Sequence, residues 1–235
     1  MTLIQGVDAS FDNVDLQEAQ RLSAAGVAVF VQRLWTGNAK PPPRVTNLRN
    51  AYQAGLALAG YISLSGARDG ALHVNDGRAD VPDDLWAAMK FVAIDIELPG
   101  IPTREIRTAV ERAVALGKGR CIYTSYGHWT GSQGNDRTFG DCLLWNALWD
   151  KQPDIDFAAL PYGGWLPEKV LGEQWAPGSI VQGAFVDRNT FVRELVDPIV
   201  PPLAHPPTPG EFAALAGLVN SLRLRLDDHT RNNHP

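Results

Sequence analysis

Four acidic residues sit where acids are costly. Asp8 lies in GVDAS, Asp95 and Glu97 in FVAIDIELPG, and Asp187 in GAFVDRNTF, each within or at the end of a short apolar run that reads as a β-strand. A carboxylate in a buried strand is unfavourable unless it is paired, hydrogen-bonded or used. Asp95 and Glu97 are separated by one residue, so on a strand they leave from the same face, about 7 Å apart along the chain. Crowded carboxylates do not all ionise cheaply, and at least one pKa must rise. A protonated acid beside ionised partners can protonate a leaving oxygen and stabilise positive charge at a sugar carbon. The plain alternative is that these acids cap helices or pair with Arg33, Arg120 or Arg188. That account suits any single acid better than it suits an alternate-position pair with two further strand acids.

Other chemistries have less support. Cys121 and Cys142 form no CxxC pair and read as buried thiols of a reducing compartment. His73, His128, His205, His229 and His234 are scattered, without HxxxH or HxH spacing. The expected chemistry therefore needs no cofactor and no metal. A barrel enzyme acting on phosphorylated sugars would want a glycine-rich phosphate loop or a Schiff-base lysine within a strand. Lys90 precedes its strand and is wrongly placed for that role. With 235 residues and a net charge of −5, the chain lacks the basic surplus of a phosphate-neutralising partner, so nucleic acid is not an expected ligand. No run approaches the length of a membrane span, and MTLIQGVDAS has no basic region followed by an apolar stretch, so no signal peptide is expected.

The elements that must position the acids follow from the apolar pattern. Strands are expected at Val27–Leu34, Leu58–Leu64, Phe91–Glu97 and Cys121–Thr124, with helices at Leu16–Ala25, Asn47–Ala54, Asp84–Met89 and Arg104–Leu116. Thr103 reads as the N-cap of the last helix and Gly117 as its stop. Repeated strand–helix units with continuous apolar strands imply a parallel sheet covered by helices. After about residue 140 the pattern changes: Leu143–Trp149, Val170–Trp175 and Gly183–Asp187 read as strands with no long helix between them. The expected fold is α/β, an irregular TIM-like barrel of about five β/α units and three trailing strands. In such barrels, functional groups gather at the C-terminal ends of the strands.

Residues 1–197 form the expected barrel. Residues 198–210 are a proline-rich, semi-rigid linker. In residues 211–235, Phe212, Leu215, Val219, Leu222 and Leu226 repeat at steps of three and four, the stripe of an amphipathic helix. That helix is expected either to dock on its own barrel or to join copies of the chain into a homo-oligomer.

The chain resembles the lysozymes of glycoside hydrolase family 25. GVDAS resembles the family's first-strand aspartate motif and FVAIDIE its DxE strand. RCIYTSYGHW resembles the fifth strand and turn, LLWNALW the sixth, and GEQWAP with GAFVDRNTF the last two strands, in family order over residues 4–192. The resemblance implies a barrel with five helices and three trailing strands. It also implies cleavage of the β-1,4 bond after N-acetylmuramic acid in a peptidoglycan glycan strand. Carried over by position, Glu97 is the general acid. Asp95 orients the substrate's acetamido group or stabilises the cationic transition state, and Asp8 and Asp187 hold the charge network of the cleft. The resemblance leaves open whether the intermediate forms on an enzyme carboxylate or on the acetamido group. Tyr61, Tyr123, Trp145, Trp35 and Trp175 are the candidate aromatic contacts to sugar rings. Two pieces depart from the family: QRLWTG lacks a glutamate before its glycine, and GYISLSG lacks a histidine. Both bear on substrate contacts rather than on the acid pair. Without a leader, such a lysin would reach the wall on host lysis or from a virion. The competing expectation is a non-catalytic virion or surface protein that keeps the barrel to bind glycan or as a spacer.

Overall fold

The computed structural model describes residues 1–196 apart from 67, 159 and 161. The expected linker and C-terminal helix lie outside the described residues. Eight strands close a barrel in sequence order: β1 (Leu3–Ala9), β2 (Val27–Trp35), β3 (Ala57–Ser63), β4 (Met89–Asp95), β5 (Cys121–Thr124), β6 (Leu143–Ala147), β7 (Val170–Val181) and β8 (Ala184–Val192). β1 to β7 run parallel, and β8 runs antiparallel to both β7 and β1.

The helices are α1 (Leu16–Ala24), α2 (Arg44–Gln53), α3 (Gly70–Arg78), α4 (Asp83–Ala88), α5 (Thr103–Ala115), α6 (Tyr126–Ser132) and the short α7 (Arg193–Val196). The first five strands are each followed by at least one helix, whereas among the described residues the helical structure between β6 and β7 is a short 3₁₀ turn at Pro167–Lys169. The uneven barrel expected from the sequence is the one observed. Among the described residues, no helix is long and apolar enough to cross a membrane.

Local signals explain most boundaries. Asp15 and Glu18 form a reciprocal capping box that starts α1. The α5 face of Ile106, Ala109, Val110 and Ala113 is buried at helical spacing. Gly117, at φ +80°, turns the chain out of that helix. The expected cap Thr103 is instead the first residue of α5. Pro102 holds the N-cap position without a side-chain hydrogen bond, because its fixed extended backbone suits entry into the helix. The sequence reading missed α3, whose apolar stripe is thin and which holds two glycines. Asp69 caps it by accepting from the Ala71 N–H. Gly70 lies so close to α5 that a β-carbon there would stand 1.8 Å from the Glu105 carbonyl oxygen.

Strand side chains alternate between two buried layers. The outer layer packs strands against helices through residues such as Phe30, Leu34, Leu58, Ile62, Val92 and Ile94. The inner layer fills the barrel with Val29, Val31, Ala59, Tyr61, Phe91, Ala93, Tyr123, Trp145 and Phe191. Gly6 and Gly172 make room for the Phe191 ring, which a β-carbon at either position would meet at 2.7 Å or less. Followed toward the C-terminal ends of the parallel strands, this inner layer ends in polar and charged residues, with Arg33 beyond Val31, Ser63 beyond Tyr61 and Asp95 beyond Ala93.

Candidate active site

The charged end of the barrel gathers residues from six strands or their ends. Asp8 is the sixth residue of β1 and is 2% exposed. Its Oδ2 accepts hydrogen bonds from Gln174 Nε2 at 3.0 Å and Asn189 Nδ2 at 2.8 Å. Asp187 on β8 is the register partner of Asp8. It accepts from the same Gln174 amide at 3.2 Å and from the Gly178 N–H at 2.6 Å. Asp95 ends β4 and is 2% exposed. Ser63, its neighbour on β3, donates to Asp95 Oδ2 at 2.5 Å, and Arg33 Nη2 on β2 lies 3.8 Å from the same oxygen. Glu97 stands just beyond β4, half-buried.

The structure therefore brings Asp8, Asp95, Glu97 and Asp187 to one opening, with Arg33 among them. Burial pushes Asp8 up to about 7, with repulsion from Asp187 adding to it and the amides of Asn189 and Gln174 opposing it. Burial and then the Glu97 charge push Asp95 up to about 7, against the Ser63 hydrogen bond and Arg33. Glu97 is raised by burial and, more weakly, by Asp187, while Arg33 pulls it down. Burial also raises Asp187. The opening is thus equipped to hold protons near neutral pH.

The aromatic candidates separate. Tyr61 and Tyr123 lie inside the barrel beside the acids, with ring centres 6.2 Å apart, and Tyr123 is the register partner of Asp95. The Tyr61 hydroxyl lies 2.7 Å from Ser10 Oγ, and the Tyr123 hydroxyl donates to Gln174 Oε1 at 2.9 Å. Trp145 is deeper, 1% exposed, and donates to Asn189 Oδ1. Trp35 stands apart: an irregular step in the β2–β3 register between Arg33 and Trp35 places it in the outer layer, where its indole donates to His73 Nδ1 on α3 at 2.8 Å. Trp175 also stands apart. It alternates with inward-facing Gln174 and lies 4.9 Å from the Arg188 guanidinium. Of the three arginines weighed as partners for the acids, Arg33 takes that role, while Arg120 pairs with Asp141.

Sequence reading passed over several members of the site. Gln174 links Asp8, Asp187 and Tyr123, and its Oε1 also accepts from the indole of Trp149, which is 58% exposed. Asn189 could have been found, since it lies two residues beyond Asp187 on the same strand face, the spacing that singled out Asp95 and Glu97. Gln174 and Trp149 carry no such signal. A further buried acid, Glu173, faces away from the opening. Its Oε2 accepts from Asn146 Nδ2 and the Asp156 N–H, and burial lifts its carboxyl to about 7.

No family model matches the chain. A probable glycoside hydrolase family 25 lysozyme of Dictyostelium discoideum is 30% identical over 86 residues, which are 37% of this chain and 18% of that protein. The match thus spans less than a fifth of the relative's own length. Among solved structures, a muramidase from Acremonium alcalophilum superposes with a TM-score of 0.67 at 21% identity, covering 83% of this chain and 100% of the other. A family 25 lysozyme from Aspergillus fumigatus gives 0.64 at 20% identity, covering 81% and 94%. The catalytic domain of an endolysin from a Listeria monocytogenes bacteriophage gives 0.66 at 14% identity, covering 84% and 97%. The likeness carried by GVDAS, FVAIDIE and the later motifs extends to the whole barrel, and the chain has the fold of the glycoside hydrolase family 25 lysozymes.

Proposed function

We propose that the chain is a glycosidase of the lysozyme type, cleaving the β-1,4 bond after N-acetylmuramic acid in bacterial peptidoglycan. The observation that carries this reading is the meeting of Asp95 and Glu97 with Asp8 and Asp187 at the C-terminal opening of the barrel. Glu97 is the general acid. It is the half-buried member of the pair, open to a substrate, and burial favours its protonated form. Protonation of the glycosidic oxygen lets the bond break as positive charge develops at the sugar carbon. Asp95 assists from within the barrel, fixed by Ser63 and Arg33. Asp8 and Asp187, joined through Gln174, hold the far side of the opening. Exposed Trp149 supplies an aromatic rim. The named relatives, a phage endolysin among them, support a lysin acting on the cell wall.

The test is release of reducing ends from purified peptidoglycan by the full chain, with the released sugar identified by mass. New reducing ends at N-acetylmuramic acid, lost in Glu97→Gln, support the reading. Binding to peptidoglycan with no reducing-end release would replace it with the non-catalytic, glycan-binding alternative.

A further inference from the structure

A second cluster of oxygen ligands lies outside the opening, between the loop after β6 and the outward face of β7. One carboxylate oxygen from each of Asp150, Asp154 and Glu173 lies within 4.8 Å of the other two. Asp150 and Asp154 are exposed, whereas Glu173 is fully buried at 0% exposure. Exposed acids gather on many surfaces without consequence. Glu173 is different: its Oε2 is taken by Asn146 and the Asp156 N–H, while its Oε1 is buried with no hydrogen-bond partner. A buried carboxylate oxygen without a donor is costly and calls for a positive partner. Among the described residues, no lysine or arginine pairs with any of the three.

We propose that Asp150, Asp154 and Glu173 form a binding site for one divalent cation, with calcium as the fitting ion. All three ligands are hard oxygens, and no histidine or thiol joins the group, which disfavours zinc and copper. Calcium–oxygen bonds are about 2.4 Å, so two oxygens on one ion stand at most about 4.8 Å apart. The three oxygens fall within that reach of one another, and magnesium, which demands near-ideal octahedral geometry and is usually held by one or two carboxylates, suits a three-carboxylate group less well. The two exposed acids leave room for the water ligands that complete a calcium shell. The cation has a structural role. It ties the segment from Asp150 to Asp154 to β7, beside Trp149, whose indole reaches Gln174 at the opening.

The experiment is calorimetric titration of the metal-stripped full chain with Ca²⁺, alongside thermal unfolding with and without the ion. One Ca²⁺ is expected to bind per chain with Kd below ~1 mM, and saturation is expected to raise the unfolding midpoint by about 2–6 °C. Asp154→Asn and Glu173→Gln are each expected to weaken binding at least ~10-fold and to abolish the midpoint shift. Asp154 is exposed, so its variant reports even if Glu173→Gln folds poorly. No binding heat and no midpoint change at about 10 mM Ca²⁺ would overturn the proposal, as would undiminished binding in Asp154→Asn. Neither readout involves glycan cleavage, so the result stands apart from the function proposed above.

Discussion

The guanidinium of Arg33 and the carboxylate of Asp95 meet at 3.8 Å inside the barrel, although all of β3 lies between their strands. Arg33 also lies 4.9 Å from the centre of the Tyr61 ring. Its charge favours ionisation of Asp8, Asp95, Glu97 and Asp187 together. It therefore acts on the protonation of the whole opening rather than on one partner.

Arg33→Gln removes that charge, so each acid gives up its proton less readily. A general acid works while protonated, and activity falls as rising pH ionises it. The alkaline limb of the pH–activity profile is expected to move upward by about 0.5–1 unit. A profile that superposes on that of the unaltered chain would show that Arg33 does not set the acidity of the site.

Glu97→Gln keeps size and polarity but removes the transferable proton. Turnover on peptidoglycan is expected to fall at least ~100-fold, the usual contribution of general-acid help. The midpoint of thermal unfolding should stay within a few degrees, because Glu97 is half-buried at a strand end. Near-normal turnover would remove Glu97 from the mechanism.

Asp8 and Asp95 make stability pH-dependent in a direction unusual for carboxylates. Both are raised from 3.8 to about 7 in the folded chain. The folded state thus holds protons that the unfolded state releases. Their stabilising contribution is complete below about pH 4 and is lost as pH climbs toward 7. In Asp8→Asn the side-chain oxygen can still accept from Gln174 and Asn189, and no charge is left to bury. At pH 8 this variant is expected to be more stable than the unaltered chain by about 1–3 kcal/mol, with the gap closing by pH 4. Chemical denaturation at the two pH values measures the difference, and an equal gap at both would refute the assignment.

Trp149→Ala tests the rim. An exposed indole oriented by Gln174 presents a flat apolar face to a sugar ring. Its loss is expected to raise KM on soluble glycan fragments about 10-fold, in keeping with an aromatic contact worth roughly 1–1.5 kcal/mol. Turnover at saturation should change little. An unaltered KM would place the substrate elsewhere.

Gly70→Ala examines the close approach of α3 to α5. A β-carbon there would stand 1.8 Å from the Glu105 carbonyl oxygen, which is backbone and cannot swing aside. Destabilisation of at least ~2 kcal/mol is expected in denaturant titrations.

The barrel was legible because its strands are short β-branched or apolar runs set between helices with clear stops. Cys121–Thr124 was read at its observed limits, and the missing helices after residue 140 announced the uneven closure. The sequence did not disclose α3, because tertiary packing against α5 outweighs the poor helix propensity of Gly70 and Gly77. Nor did it disclose the turning of Trp35 into the outer layer, which depends on one irregular register step between β2 and β3. Their place in or at the end of apolar strands brings the four acids to notice, and strand alternation puts Asp95 and Glu97 on one face. Gln174, which joins two of them, escaped because an amide between Glu173 and Trp175 has no distinguishing pattern.

The antiparallel closure of β8 has a consequence for how the chain is made. Leu3 pairs with Val192, so the first strand finds its second neighbour only when the last has been synthesised. On the ribosome, β1 must wait with one backbone edge unsatisfied while β2 to β7 emerge. Joining ends this distant in sequence carries a loop-closure cost that must be met before the β1–β8 pairing rewards it. The final latch therefore closes only after β8 has emerged. A nascent chain stopped at the turn before β8 would expose two raw sheet edges, on β1 and β7, and be open to proteases and to pairing with its own kind.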